Sequence, residues 1–290
     1  MLNTLSDKTI LITGATNGIG RAAALKLAEM GATVIVHGRN REKVDAVIAQ
    51  IRAGGRGEGR AAVADLSSLD QVRELAAQIN ARYQRLDVLV NNAGAMFMSR
   101  RESVDGIEMT FALNHLSYFL LTHLLLDLLT DSAPARIVNV ASEAERGGRL
   151  DFDDLQRRRR YTGFETYSQS KLANIIFTYA LARRLTERGA GVTVNAMHPG
   201  FVGTGFAGNN GGVVKLAMMA MRPFILTPEQ GADTLVWLAS SPEVEGVTGG
   251  YFEKRRAIRS IDPSYDEAVQ RRLWEVSEAM TGLKEAVLAP

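Results

Sequence analysis

Apolar, β-branched runs recur along the chain with helical patterns between them. Thr9–Thr13, Thr33–His37, Ala61–Ala64, Leu86–Val90, Arg136–Ala141 and Val192–Met197, with a weaker Gly250–Phe252, read as strands. Each is a short continuous hydrophobic run rather than an alternation, the form a strand takes when both faces of a parallel sheet are covered. Gly20–Met30 closed by Gly31, Leu69–Tyr83 after Ser68, and Glu165–Arg188 carry helical periodicity and plausible caps. Strand, helix, strand repeats predict an α/β fold: a doubly wound parallel sheet with helices on both faces. No Pro/Ser-rich linker, low-complexity tract or solenoid repeat divides the chain, so residues 1–290 are expected to form one domain, with 262–290 a helical C-terminal extension.

Composition narrows the function classes. With 290 residues, 46% hydrophobic and 23% charged, the chain matches globular averages, and disorder and collagen-like structure are excluded. Thirty-four basic against thirty-two acidic residues leave +2, which is no nucleic-acid signature, and no nucleic-acid partner is expected. Zero cysteines exclude disulfides, thiolate nucleophiles and Cys-ligated metals, and with four scattered histidines no metal site is expected. Phe119–Leu129 is broken by Thr122, His123 and Asp127, and Val213–Leu226 by Lys215 and Arg222. Neither reaches the ~20 apolar residues of a spanning helix, so no integral membrane segment is expected. Met1–Lys8 has no charged-then-apolar signal, and the expectation is a cytoplasmic protein.

The candidate chemistry sits at strand ends. The first strand runs into Thr13-Gly14-Ala15-Thr16-Asn17-Gly18-Ile19-Gly20, with a helical pattern opening at Arg21. Glycines there allow a tight turn, close backbone approach to a pyrophosphate, and free helix N-terminal amides. The second strand ends in His37-Gly38-Arg39-Asn40, without the acidic residue that many NAD sites place on the ribose. Arg39 could hold a 2′-phosphate, with Arg21 a second contributor, which favours NADP(H) over NAD; the plainer reading is a solvated loop arginine. Asp65 could accept from an adenine amino group or cap Leu66–Leu69. Tyr167-Ser168-Gln169-Ser170-Lys171 puts a phenol and an ammonium on one helix face, where the cation favours phenolate and makes Tyr167 an acid/base. Tyr-x3-Lys also arises by chance as a surface pair. Here it follows Ile137–Ser142, a strand ending in a serine able to bond a reacting oxygen.

With the glycine loop, Asp65, Asn91-Asn92-Ala93-Gly94, Asn114, Ser142, Tyr167, Lys171 and Pro199-Gly200, nearly the whole chain resembles the short-chain dehydrogenase/reductase family. Asp151–Leu155, Tyr167–Asn174 and Thr193–Gly200 look like its retinol-dehydrogenase-like and protochlorophyllide-reductase-like branch. The resemblance implies a Rossmann-type oxidoreductase interconverting an alcohol and a ketone or aldehyde by hydride transfer with NADP(H). It makes Tyr167 the general acid/base, Lys171 a nicotinamide-ribose ligand that tunes Tyr167, Ser142 the orienter of the substrate oxygen, and Asn114 the holder of a relay water. It places Gly14, Asn17, Gly18, Ile19 and Gly20 by the pyrophosphate, Asp65, Leu66, Asn91, Ala93 and Gly94 on the adenosine side, and Pro199, Gly200 and Thr204 by the carboxamide. It also implies a homodimer or homotetramer packed through the Asn114 and Tyr167 helices.

Residues 203–226, with Phe206, Leu216, Met218, Met219, Met221 and Phe224, lie where the resemblance places a substrate lid, and point to a fairly apolar small-molecule substrate. Core packing, a dimer contact or a weak membrane contact are the plainer readings of that stretch. Arg157–Arg160 reads as a solvated loop and His198 as a structural residue. A catalytically silent cofactor-binding regulator leaves Tyr167 without a task. A nucleotide-sugar epimerase or dehydratase shares Tyr-x3-Lys but not the glycine spacing or the absence of a long C-terminal substrate domain. A Rossmann methyltransferase leaves both Tyr167 and Lys171 idle.

Overall fold

The computed structural model describes residues 5–200 and 226–283. The first half alternates β1 (Thr9–Ile12), α1 (Gly18–Glu29), β2 (Thr33–Gly38), α2 (Arg41–Gly54), β3 (Glu58–Val63), α3 (Leu69–Arg82) and β4 (Val88–Asn91). The second half opens with α4 (Met109–Phe111), a π turn (Ala112–Leu116) and α5 (Ser117–Leu124) running end to end. It continues with α6 (Leu126–Asp131), β5 (Ala135–Val140), α7 (Gly163–Glu187), β6 (Val192–Met197), α8 (Pro228–Ser240), β7 (Tyr251–Glu253), β8 (Arg256–Ala257) and α9 (Glu267–Thr281).

The eight strands form one sheet in the order β3-β2-β1-β4-β5-β6-β7-β8, parallel except for the last pair. Successive side chains point to opposite faces, so the apolar runs feed two cores. Leu11, Ile35, Leu89, Ile137 and Val194 pack under α3, α5, α7 and α9, whereas Ile10, Ile12, Val36, Val90 and Val138 pack under α1, α2 and α8. This is the doubly wound Rossmann-type sheet expected from the strand pattern. Strand order reverses between β1 and β4, the place at the carboxyl edge where doubly wound sheets bind their ligands.

Several boundaries differ from the sequence reading. β3 begins at Glu58, three residues before the apolar run, because an edge strand pairs on one side only and tolerates exposed polar residues. β8 is two exposed residues hairpinned onto β7, too short and polar to carry a periodic signal. Asn114, read from the sequence as part of a helix, lies in the π turn of the continuous α4–π–α5 segment. The C-terminal extension supplies a 3-10 turn at Asp262–Tyr265 and α9, while residues 203–225 of the expected lid lie outside the described residues.

α9 lies on the α5/α7 face. Its Trp274 ring packs 5.2 Å from Phe119, 4.9 Å from His123 and 5.9 Å from Phe177, and the Arg184 guanidinium lies 4.2 Å above it. This chain's own C-terminal helix thus packs against two of the helices around the candidate site.

His37, His115 and His123 are buried, and desolvation pushes each down to about 4. As pH falls from about 6.5 to 4 the unfolded chain takes protons that the native chain refuses, so stability is lost across that window. Glu108 and Glu145, pushed up by burial, act in the opposite sense as pH falls toward the ordinary carboxylate range. His123 Nδ1 donates to the Phe119 carbonyl at 2.6 Å, while Nε2 is buried without a partner. His123→Phe should therefore keep the aromatic packing and flatten the fall of Tm between pH 6.5 and 4, each buried histidine contributing up to ~1.4 kcal/mol per pH unit there. Thermal melts across that range check it; an unchanged slope would show that His123 does not drive acid unfolding.

Candidate active site

The glycine loop is held in shape by its neighbours. Gly14 and Gly18 have φ of +65° and +54°, and a Cβ on Gly14 would lie 2.9 Å from the Ala93 Cα. A Cβ on Gly20 would lie 2.5 Å from both the Gly14 carbonyl and Asn92 Nδ2, so the loop folds only with glycine there. Thr13 Oγ1 accepts from the amides of Asn92 (2.8 Å) and Ala93 (3.0 Å), and Asn92 Nδ2 donates to the carbonyls of Thr13 (2.8 Å) and Gly14 (3.2 Å). The Gly14 amide donates to His37 Nδ1 at 3.2 Å, and Nε2 of the same neutral ring faces the Ala64 carbonyl at 3.1 Å. Asn17 Oδ1 caps α1 by accepting from the Gly18 amide at 2.8 Å. The next amides, Ile19 and Gly20, precede Arg21, the first amide to donate within the helix, and lie at its positive end. That arrangement fits a pyrophosphate.

The adenosine-side residues divide. The Arg39 guanidinium lies 3.8 Å from the Asp65 carboxylate, so the second and third strands bring these two exposed side chains together. Asp65 Oδ1 accepts from the Ser67 amide and hydroxyl, and Ser68 rather than Asp65 caps α3. Arg21 donates to Gln50 on α2 at 2.7 Å. The Leu66 side chain is in the core, and Asn91 Nδ2 is bonded inward to Thr122 (3.0 Å) and Asn139 (2.9 Å). Either residue can thus offer a ligand only its backbone.

Tyr167 and Lys171, one turn apart on α7, meet Ser142 at the end of β5. Ser142 begins the 3-10 turn Glu143–Gly147, accepting from the Ala144 amide at 3.2 Å, and its hydroxyl hydrogen-bonds the Tyr167 phenol. Lys171 Nζ donates to the Val140 carbonyl at 2.9 Å and stands 5.7 Å from the Tyr167 ring centre. Burial pushes Tyr167 up to about 12, with the Ser142 bond pulling the other way, and pushes Lys171 down to about 7. Desolvation therefore outweighs the ammonium-to-phenol attraction that sequence spacing suggests. Near neutral pH the phenol holds its proton and can give it to a substrate oxygen.

Asn114 ties two elements of the site together through its side chain. Its Oδ1 accepts from the Ala95 amide (2.9 Å), and its Nδ2 donates to the Ala95 carbonyl (3.0 Å) and Ser170 Oγ (3.0 Å). The side chain thereby pins the loop after β4 to α7. Gly94 lies between, its Cβ position 3.1 Å from Asn114 Oδ1 and 3.5 Å from Lys171 Nζ. Gly200, with φ +74°, follows Pro199 at the end of β6, while Thr204 lies outside the described residues.

Sequence reasoning missed Thr13, His37, Asn92 and Tyr251, the last donating from its hydroxyl to the Ser142 carbonyl at 3.3 Å. Thr13 and Asn92 sit inside the quoted runs without a role of their own, and each of the four acts through a backbone group that becomes a neighbour only on folding. Among the described residues no group of three His, Asp or Glu is placed to hold a metal ion, and no helix is long and apolar enough to cross a membrane.

Comparison with known proteins places this geometry. A family model described as short chain dehydrogenase matches residues 8–212. Retinol dehydrogenase 14 of Mus musculus is 44% identical, over 96% of this chain and 87% of its own length. Polyprenol dehydrogenase of Homo sapiens is 36% identical, over 97% of this chain and 87% of its own. The crystal structure of a short chain dehydrogenase from Burkholderia cenocepacia J2315 in complex with NADP superposes with a TM-score of 0.69 at 29% identity, covering 86% of this chain and 97% of that one. The chain therefore belongs to the short-chain dehydrogenase family of oxidoreductases.

Proposed function

We propose that the protein is an NADP(H)-dependent oxidoreductase interconverting an alcohol and a ketone or aldehyde on a fairly apolar small molecule, with Tyr167 as general acid/base. The observation that carries the reading is the protonated Tyr167 phenol bonded to Ser142 beside the buried Lys171 amine. The cofactor supplies or accepts the hydride. Gly14, Asn17, Gly18, Ile19 and Gly20 would hold its pyrophosphate, Lys171 its nicotinamide ribose, and Arg39 its 2′-phosphate. In reduction, Ser142 bonds the carbonyl oxygen, and Tyr167 delivers its proton to that oxygen as negative charge develops there. In oxidation the same proton returns from the alcohol to the phenolate.

Tyr167→Phe should leave cofactor affinity nearly unchanged and lower kcat by ~10² to 10⁴. Lys171→Met should weaken both. Steady-state rates with cofactor titration decide; retention of more than about a tenth of wild-type kcat in Tyr167→Phe would remove the acid/base role.

Arg39 supports the cofactor preference because a guanidinium beside a carboxylate meets a dianionic phosphate better than a neutral ribose does. NADPH should bind more tightly than NADH, and Arg39→Ala should cost roughly ten- to a hundredfold in NADPH affinity, since Asp65 is left facing the phosphate. NADH affinity should hardly move. Equal affinities for the two cofactors in the wild-type protein, measured by fluorescence titration, would end the NADP reading.

Two observations support an apolar substrate. Retinol and polyprenol, named in the two relatives, are long apolar alcohols. Met98 and Phe164 are 54% and 56% exposed, Phe164 one turn before Tyr167, and the Gly163 position touches the Met98 backbone. In a series of aldehydes of growing chain length kcat/KM should climb about fourfold per methylene until the site is full. A flat series, or a preference for charged substrates, would overturn the apolar assignment.

A further inference from the structure

A line of buried hydrogen bonds joins the C-terminal helix to the turn that carries Asn114. Asn174 Nδ2 donates to the Asn114 carbonyl at 2.9 Å, which fixes the amide and turns its Oδ1 toward His115 Nδ1 at 3.3 Å. An amide oxygen only accepts, so Nδ1 carries the ring proton and Nε2 is the acceptor. Nε2 lies 2.9 Å from the Ser277 hydroxyl of α9, whose single proton is shared between Nε2 and the Leu273 carbonyl at 2.7 Å. Beyond Asn114 the line continues through Ser170 Oγ, which donates to the Tyr167 carbonyl at 2.7 Å. Asn114, His115, Ser170, Asn174 and Ser277 are all fully buried.

We propose that His115 is a positioning residue for the Tyr167 site, and that α9, through Ser277, is the strut that fixes it. The π turn spends one more residue per turn than an α-helix and swings its carbonyls out of register, so its geometry needs an external partner. Asn174 is that partner, and His115 and Ser277 hold Asn174 in the one orientation that can donate to Asn114. The Phe111, Phe119 and Phe177 rings around His115, at 5.0, 6.4 and 6.2 Å, supply packing that a phenylalanine at 115 would keep. Only the hydrogen bonds require histidine.

The inference rests on the oxidoreductase reading, and its test has one arm that does not. His115→Phe keeps the ring and loses both bonds; His115→Asn puts an amide nitrogen near the Nδ1 position and keeps the bond to Asn174; Ser277→Ala removes the strut alone. The first readout is hydrogen exchange of the Ala95 amide in cofactor-free protein, because Asn114 Oδ1 holds that amide at 2.9 Å. It should quicken on the order of tenfold in His115→Phe, less in Ser277→Ala, and stay within about threefold in His115→Asn. The second is the split of kcat from KM: kcat should fall about tenfold in His115→Phe with substrate KM nearly constant, and recover in His115→Asn. Wild-type Ala95 protection in both His115→Phe and Ser277→Ala, or a kcat loss that merely follows the unfolded fraction, would overturn the proposal. If His115→Phe does not fold, the exchange rate in Ser277→Ala decides. A wild-type protein silent toward every carbonyl and alcohol would defeat the oxidoreductase reading and leave the exchange result standing.

Discussion

Everything in the site depends on two loops meeting backbone to backbone at the point where strand order reverses. With the Ala93 Cα 2.9 Å from where a Gly14 side chain would begin, there is no room between the loop leaving β1 and the loop leaving β4. Thr13 and Asn92 bind the pair with four hydrogen bonds at one end, and Asn114 binds the β4 loop to the catalytic helix through Ala95 at the other. The glycine loop and the Tyr167–Lys171 face are therefore held through a single intermediate segment, residues 92–95. A shift of that segment would disturb both. Precision of this kind matters because a displacement of about 1 Å can cost two orders of magnitude in rate.

The polar groups that achieve this are buried, and each must find a partner or destabilise the fold by ~1–3 kcal/mol. Asn91, Asn139 and Thr178 bond one another across β4, β5 and α7, with Thr122 of α5 as a fourth member, and only Asn91 Oδ1 among their bonded side-chain groups lies buried without a partner. Lys171 gives up most of its solvation for one carbonyl and the flank of two aromatic rings. Such a network favours one arrangement of α5 and α7 over any sliding alternative, since a slip would orphan several groups at once. α9 adds apolar weight through Leu273 and Trp274, and so helps to offset the cost of the polar layer beneath it.

Much of this was legible in the sequence. The apolar runs gave the sheet because strands covered on both faces need no polar residue, and Gly14, Gly18 and Gly20 marked the loop because only glycine fits. Ser142, Tyr167 and Lys171 were findable because their spacing on a strand end and a helix face is itself the chemistry. What escaped were groups whose partners are distant in sequence: His37 serving Gly14 and Ala64, Tyr251 serving Ser142, and Ser277 reaching His115 across 162 positions. Asn114 was located, but spacing cannot say that both ends of its amide face Ala95. β3 and β8 were blurred because sheet edges are written in polar residues.

The two perturbed groups also bear on direction. A cationic lysine beside tyrosine suggests a standing phenolate, which suits removal of a proton from an alcohol. Burial works against that, because it penalises both charges: the ammonium is pushed down to about 7 while the phenol is pushed up to about 12. Between those values the pair is neutral at both members, with the proton on oxygen. A carbonyl substrate then meets a donor already loaded, whereas an alcohol must first drive the phenol toward its anion. Under the proposed role for Tyr167, the burial that keeps the proton on the phenol also makes the phenol a weaker acid, so the chain's own groups load the donor without easing the transfer.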